Sequence, residues 1–150
     1  MNKKLRVLCI YGEALNTQRD EDPRISLVDC DVVVVGTYDV AKDILQTLEV
    51  VPPFDVILSD LYLFKDRSLK DTAHLSPILL KGLCEQKLVG GLGIFVPQHF
   101  ESSFEVSDGY TVTVASQNCW DFDGSRDWKK LFDLVVATSL ESDTFNHREH

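Results

Sequence analysis

Residues 54–64 have the sequence FDVILSDLYLF, and this stretch decides the predicted fold. Its apolar run lies between Pro52-Pro53 and the carboxylate of Asp60. A strand that is apolar on both faces is typical of a parallel sheet covered by helices on both sides. Such sheets hold their functional groups in the crevice beyond the carboxyl ends of the strands. We therefore expect Asp60 at that edge, as a site residue or as a cap of the turn that follows the strand.

The rest of the chain alternates between strand and helix patterns. Short apolar runs indicate strands, and apolar residues at 3.6-residue spacing indicate helices. A strand, a helix and a strand in succession predict a right-handed crossover between parallel strands. We predict strands at Leu5–Tyr11, Asp31–Gly36 and Leu92–Val96, and helices that begin near Thr37, after Ser76 and at Trp128.

Three connecting segments carry more specific predictions. Alternation on both sides of the dipeptide Asp108-Gly109 favours a hairpin whose second strand is Tyr110–Ala115. Residues Ile25–Val28 are expected to be extended, and Lys65–His74 is expected to be a long charged loop at the carboxyl edge. The run Asp121–Asp127 resembles a calcium loop but lacks the EF-hand spacing and its terminal Glu, so we predict a turn and a helix cap.

Length and charge limit the class of protein. A chain of 150 residues fits one domain, which we place at residues 1–140 with a polar tail at 141–150. The net charge of −9 disfavours binding to nucleic acid and to anionic membranes, because both depend on basic surface. No apolar run approaches the roughly 18 residues of a membrane span, and no signal-peptide cleavage pattern follows Met1. We therefore expect a cytoplasmic protein.

Four cysteines, Cys9, Cys30, Cys84 and Cys119, stand far apart in the sequence. They include no C-x-x-C pair, which zinc sites and redox motifs commonly use. Isolated cysteines within apolar segments behave as small apolar side chains. We therefore expect reduced thiols rather than a disulfide framework or a zinc site.

The pair Asp55 and Asp60, with four residues between them and Leu-Tyr-Leu following, resembles the third strand of response-regulator receiver domains. The resemblance extends over Leu5 to Leu140 in the order of elements, but its motif content is confined to this strand. It implies a three-layer, doubly wound α/β fold of the flavodoxin-like type. The sheet would have five mainly parallel strands in the order 2-1-3-4-5, and Asp60 would be the phosphoacceptor.

The other receiver positions lack the expected residues. Tyr11-Gly12 stands where the resemblance implies an acid pair that holds Mg²⁺, and Glu13 comes one place late. Val96-Pro97 replaces the Ser or Thr after the fourth strand, and no Lys follows the fifth strand. Phosphotransfer depends on these groups because they position and neutralise the phosphoryl oxygens. The sequence therefore resembles a degenerate receiver, or pseudo-receiver, and its residues support neither Mg²⁺ nor another cofactor.

Two hypotheses about function remain open. The first is a non-catalytic regulatory or protein-interaction module that binds a protein partner, with self-association left open. It predicts that replacing Asp60 by Ala has little effect. The second is a flavodoxin-like protein that binds a small ligand or divalent metal, with Asp60 as a potential phosphoacceptor. Its candidate crevice residues are Glu13, Asp60, His99, Gln117 and Asn118.

Overall fold

A computed structural model of the chain describes residues 4–10, 22–47, 54–60, 63–64, 72–73, 89–96, 104–108, 111–121 and 125–141. In these ranges strands and helices alternate from residue 6 to residue 60, strands alone follow up to residue 116, and a helix comes last. In chain order they are β1 (Arg6–Ile10), α1 (Pro23–Ser26), β2 (Asp31–Val35), α2 (Tyr38–Thr47), β3 (Val56–Asp60), β4 (Leu63–Phe64), β5 (Thr72–Ala73), β6 (Gly91–Phe95), β7 (Phe104–Asp108), β8 (Thr111–Ser116) and α3 (Trp128–Glu141).

The main sheet has the strand order β2-β1-β3-β6-β8-β7. Its first five strands are parallel, and they follow the chain in the order 2-1-3-4-5. Strand β7 pairs antiparallel with β8 and adds an edge strand next to the fifth parallel strand. The predicted doubly wound α/β fold is therefore confirmed, and so is the hairpin, whose second strand β8 is the last parallel strand.

Strand β3 is central because helices cover both of its faces. Ile57 belongs to a core cluster that includes Ala41 of α2. Val56 and Leu58 belong to a second cluster that includes Leu131 of α3. All five residues of β3 are buried, as the apolar run in the sequence predicts. Parallel pairing with β1 and β6 fixes the direction of β3, so that Asp60, its last residue, lies at the carboxyl edge of the sheet.

Gly93 allows α3 to lie directly on the sheet. A Cβ atom at this position would be 2.8 Å from Leu58 Cδ2, 2.9 Å from Leu131 Cγ and 2.9 Å from Val135 Cγ2. Real Cβ atoms do not approach neighbouring carbon atoms so closely, because close-packed interiors leave no space for an added methyl group. The missing side chain of Gly93 therefore sets the distance between α3 and β6.

Two local predictions are wrong. The segment Ile25–Val28 is not extended, because Pro23–Ser26 forms a helical turn whose N-cap, Asp22, accepts a hydrogen bond from the Arg24 N–H at 2.9 Å. The long charged loop is not entirely irregular either. Strand β5 lies within it and pairs antiparallel with β4, so that Leu63 faces Ala73.

Several predicted features lie outside the described residues. They include the helix after Ser76 and residues 142–150 of the predicted tail. Helix α3 ends at Glu141, one residue beyond the predicted domain boundary. Among the helices that the structure describes, none combines the length and the apolar character needed to cross a membrane.

Candidate functional site

Asp60 is the last residue of β3 and lies at the carboxyl edge of the sheet. In the register of the strands it faces Phe95, the last residue of β6, which in turn faces Ser116, the last residue of β8. The side chain of Asp60 is buried at this edge, with a relative exposure of 4% for the residue. The structure therefore places Asp60 at the edge where a site residue was predicted, but not in open solvent.

Arg126 holds the carboxylate of Asp60 in a bidentate ion pair. Its Nε atom lies 2.6 Å from Oδ1, and its Nη2 atom lies 2.8 Å from Oδ2. Both side chains are about as buried as core residues, with relative exposures of 4% for Arg126 and 5% for Asp60. The planar guanidinium matches the geometry of a carboxylate, so both oxygens are engaged at once. The pair joins residues 66 positions apart in the sequence.

Two short segments that pair with each other carry Arg126 to the sheet. We call Cys119–Asp121 and Ser125–Asp127 together the strap. Trp120 and Arg126 form an antiparallel bridge within it. The Asp121 N–H donates to the Ser125 carbonyl at 2.8 Å, and the Asp127 N–H donates to the Cys119 carbonyl at 3.0 Å. These backbone bonds fix Arg126 relative to Trp120.

Trp120 attaches the strap to the end of β6. Its Nε1–H donates to the main-chain carbonyl of Val96 at 2.8 Å. Its ring is 5.5 Å from the ring of Phe95, at an angle of 55°. The guanidinium carbon of Arg126 lies 5.6 Å from the centre of the Trp120 ring, within cation–π range. The ring of Trp120 is thus in contact with both the guanidinium of the ion pair and the ring of Phe95.

Asp127 connects the strap to helix α3. Its Oδ1 atom accepts a hydrogen bond from the Lys130 N–H at 3.0 Å, which is the bond of a helix N-cap. Its carbonyl accepts the first helical bond, from the Leu131 N–H at 3.2 Å. The predicted helix cap is confirmed at this residue. Residues 122–124 of the calcium-like run lie outside the described part of the chain.

Asp55, the other acid of the motif, lies at the opposite, amino-terminal end of β3. Its Oδ2 atom accepts a hydrogen bond from the Arg6 N–H at 2.9 Å. Its own N–H donates to the Arg6 carbonyl at 2.8 Å, and its carbonyl accepts from the Gly91 N–H at 3.1 Å. Asp55 therefore ties β1 and β6 to the start of β3 and takes no part in the carboxyl-edge site.

The predicted crevice set differs from the residues found around Asp60. Glu13 and His99 lie outside the described residues. Gln117 is half-buried and Asn118 is exposed; both directly follow β8, which β6 separates from β3. The Asn118 N–H donates to Ser116 Oγ at 3.1 Å, within its own turn. The main contact with Asp60 comes instead from Arg126, which the sequence analysis did not single out.

One sequence feature could have pointed to Arg126. It stands directly before Asp127, the cap of α3. A cation close to a helix N-terminus meets the positive end of the helix dipole and is unfavourable there. An arginine at such a position is therefore expected to reach an acidic partner. Only the folded chain shows that the partner is Asp60.

The described residues do not fit the Mg²⁺ site that the receiver resemblance suggests. Within the described ranges, no group of three or more His, Cys, Asp or Glu side chains is placed to hold a metal ion. Both oxygens of Asp60 already accept hydrogen bonds from a cation. A divalent ion at the same oxygens would meet the charge of Arg126 at close range, where the interaction is strongly repulsive.

The thiols near the sheet are not activated nucleophiles. Burial raises the pKa of Cys9 and of Cys119, and a hydrogen bond from Ser116 offsets part of the shift at Cys119. Burial also raises the pKa of Cys30. A reactive cysteine needs the opposite shift, because the thiolate is the nucleophile. The three described cysteines are outside disulfides, and Cys84 lies outside the described residues.

No family model, curated protein or solved structure matches this chain. The observed strand order is that of the flavodoxin-like fold, which many proteins of different function share. The receiver resemblance thus stays a prediction that rests on the third-strand motif and on the order of elements.

Proposed function

We propose that the chain is a non-catalytic, receiver-like module that binds a protein partner in the cytoplasm. In this proposal Asp60 does not accept a phosphoryl group, because Arg126 holds its carboxylate. The observation that carries the proposal is the bidentate ion pair, with distances of 2.6 and 2.8 Å. Its position at the tip of the central strand makes Asp60 a structural residue at the place where a receiver does its chemistry.

Phosphotransfer to Asp60 would need an oxygen that can approach a phosphoryl donor in line. The oxygens of Asp60 are engaged with Arg126, and the side chain is almost fully buried. The product would carry about −1.5 to −2 charges at a site built for one carboxylate and one guanidinium. Removing a carboxylate from a buried ion pair is itself costly. The engaged oxygens, the burial of the side chain and the added charge all oppose phosphorylation of Asp60.

The neighbouring groups at the carboxyl edge are also engaged. The Val96 N–H donates to the Ser116 carbonyl at 3.0 Å, and the Val96 carbonyl accepts from Trp120. Ser116 Oγ accepts from the Asn118 N–H. An anion-stabilising site needs donors that point at the place where charge develops. The described groups at this edge instead satisfy one another, which supports a structural role.

Surface features support a role in protein binding. Among the described residues, the large apolar side chains that are most exposed are Ile25 at 66% and Val28 at 70%, on α1 and the turn that follows it. Val33 of the edge strand β2 is also exposed, on the other face of the sheet, since Val32 and Val34 pack on the cluster that contains Leu27. Exposed apolar side chains that lie close together, such as Ile25 and Val28 three residues apart, are a feature of interaction surfaces. The three unpaired thiols fit a reducing compartment such as the cytoplasm.

The alternative of a ligand-binding or phosphoacceptor protein requires Asp60 to leave Arg126. A test treats the wild-type protein with Mg²⁺ and a small acyl phosphate, and separately with Mg²⁺ and beryllofluoride. We expect no phosphoryl adduct in the intact mass and no change in Tm. Asp60→Asn is the matched control. An adduct or a stabilisation that appears in the wild type and disappears in Asp60→Asn would contradict the proposal.

The ion pair also corrects an expectation drawn from the sequence. The module hypothesis predicted little effect of Asp60→Ala. The structure indicates a large loss of stability, because the substitution leaves Arg126 buried without its counter-charge. Stability alone therefore does not distinguish the two hypotheses. Only a ligand-dependent change does.

A further inference from the structure

We infer that the Asp60–Arg126 ion pair is a latch that holds the strap on the carboxyl edge of the sheet. The charge on Asp60 then decides whether the strap stays docked. This inference rests on the proposed function, in which Asp60 is a structural residue, and it assigns a conformational role to the pair.

Besides this pair, the described contacts of the strap with the rest of the chain include those of Cys119, which is buried in the core cluster of α3 and is hydrogen-bonded by Ser116. The backbone bonds of the strap join Cys119–Asp121 to Ser125–Asp127 and are internal to it. The contact between Trp120 and Arg126 is internal as well. Toward β6, the strap is held by the Trp120 hydrogen bond to Val96 and by the ring contact with Phe95. Among the hydrogen bonds described for the strap, those of the ion pair reach the central strand.

The loss of charge at Asp60 would favour an open strap. A guanidinium stays protonated under all ordinary conditions, so Arg126 keeps its charge when Asp60 is neutralised. A buried charge that loses its ion-pair partner is far more costly than a lost neutral hydrogen bond. The side chain of Arg126 would therefore move to water. Since its backbone is paired with Trp120, the strap would move with it.

The open strap would also change the start of α3. Asp127 directly follows Arg126 and supplies the cap bond to the Lys130 N–H. The sheet depends less on the strap, because its two core clusters are built mainly from strands and helices; of the described strap residues, Cys119 belongs to one cluster and Trp120 packs against it. The latch thus connects the charge at the tip of β3 to the first turn of α3.

Residue-resolved hydrogen exchange, read by NMR at backbone amides and at the tryptophan indole, tests this inference on wild type and Asp60→Asn without any ligand. The reporters are the indole N–H of Trp120, whose bond to the Val96 carbonyl joins the strap to β6, and the amide of Lys130, whose cap bond is made to Asp127. The reference amides are those of Asp55 and Val112, which are bonded at the other end of the sheet. We expect exchange at the reporters to rise by about tenfold more than exchange at the references. An equal rise at both sets, or no rise at the reporters, would overturn the latch.

The double variant Asp60→Leu/Arg126→Met removes both charges while keeping apolar volume. It leaves no buried charge to expel, so we expect reporter exchange to return close to the wild-type level. A strap that remains open in the double variant would overturn the electrostatic basis of the latch. If Asp60→Asn does not fold, Arg126→Gln is measured instead, with the same expectation. If neither single variant folds, the pair supports the whole domain and the inference is wrong.

The two proposals fail separately. Phosphorylation of the wild type would refute the proposed function but would leave the exchange pattern of the ligand-free variants unaffected. Uniform exchange in the variants would refute the latch while the wild type stays inert to phosphoryl donors.

Discussion

The buried ion pair gives the sharpest prediction about stability, because the chain also contains an exposed ion pair that serves as a comparison. Asp60 and Arg126 have side-chain exposures of 5% and 4%, whereas Asp133 and Lys129 form a pair with exposures of 57% and 59%. Removal of one partner from a buried pair costs about 3 to 5 kcal/mol. An exposed pair at helical spacing contributes about 0.3 to 0.5 kcal/mol.

The perturbation is a double-mutant cycle of Asp60→Leu, Arg126→Met and the double variant. Each single change is expected to lower the free energy of unfolding by about 3 kcal/mol, the lower end of the range, because an opened strap lets the remaining charge reach water. The double variant is expected to be more stable than either single variant, since apolar side chains that replace a buried ion pair are often neutral or stabilising. The coupling energy between the two positions is therefore large and favourable.

Urea denaturation followed by circular dichroism measures these free energies, with the slope of the transition compared among variants. The control is Asp133→Asn in helix α3, which is expected to change the free energy of unfolding by less than about 0.5 kcal/mol. The reasoning is refuted if either single variant at the buried pair loses less than about 1 kcal/mol, or if the loss in the double variant equals the sum of the two single losses.

Three further predictions use other parts of the fold. Gly93→Ala is expected to cost about 1 to 3 kcal/mol in urea denaturation, because the new methyl group meets Leu131 Cγ at 2.9 Å; an unchanged midpoint would contradict this close packing. Burial raises the pKa of Cys9, so that above about pH 9 its thiol ionises in the unfolded chain but stays protonated in the folded chain. The free energy of unfolding therefore falls as pH rises above about 9. The fall is about 1.4 kcal/mol per pH unit; Cys9→Ala should flatten the pH dependence of the unfolding free energy by that slope, and equal slopes in both proteins would refute the assignment. Asp55→Ala is expected to lower the free energy of unfolding by about 1 kcal/mol, because the hydrogen bond from the Arg6 N–H is lost. Asp55→Asn keeps an acceptor and should lose less; equal losses in the two variants would show that this bond is unimportant.

Local sequence patterns determined the framework of the sheet. The apolar run of β3 is buried on both faces, and its burial follows from the residues themselves. The Asp108-Gly109 dipeptide between alternating segments predicted the β7–β8 hairpin, because the turn and the alternation are both short-range signals. The cap at Asp127 was predicted for the same reason. The one-turn helix α1 was missed, because four residues are too few for an apolar period to be visible.

The carboxyl-edge site depended on tertiary structure. The sequence predicted Asp60 at this edge, since a strand direction and a burial pattern suffice for that. The partner of Asp60 could not be predicted, because Arg126 is 66 residues away and reaches β3 only through a strap whose pairing forms in the folded chain. The sequence by itself determined which strand is central and where its acid lies. Only the tertiary structure decided that Arg126 balances the charge of this acid, because the pairing of two buried charges depends on where the folded chain brings them together.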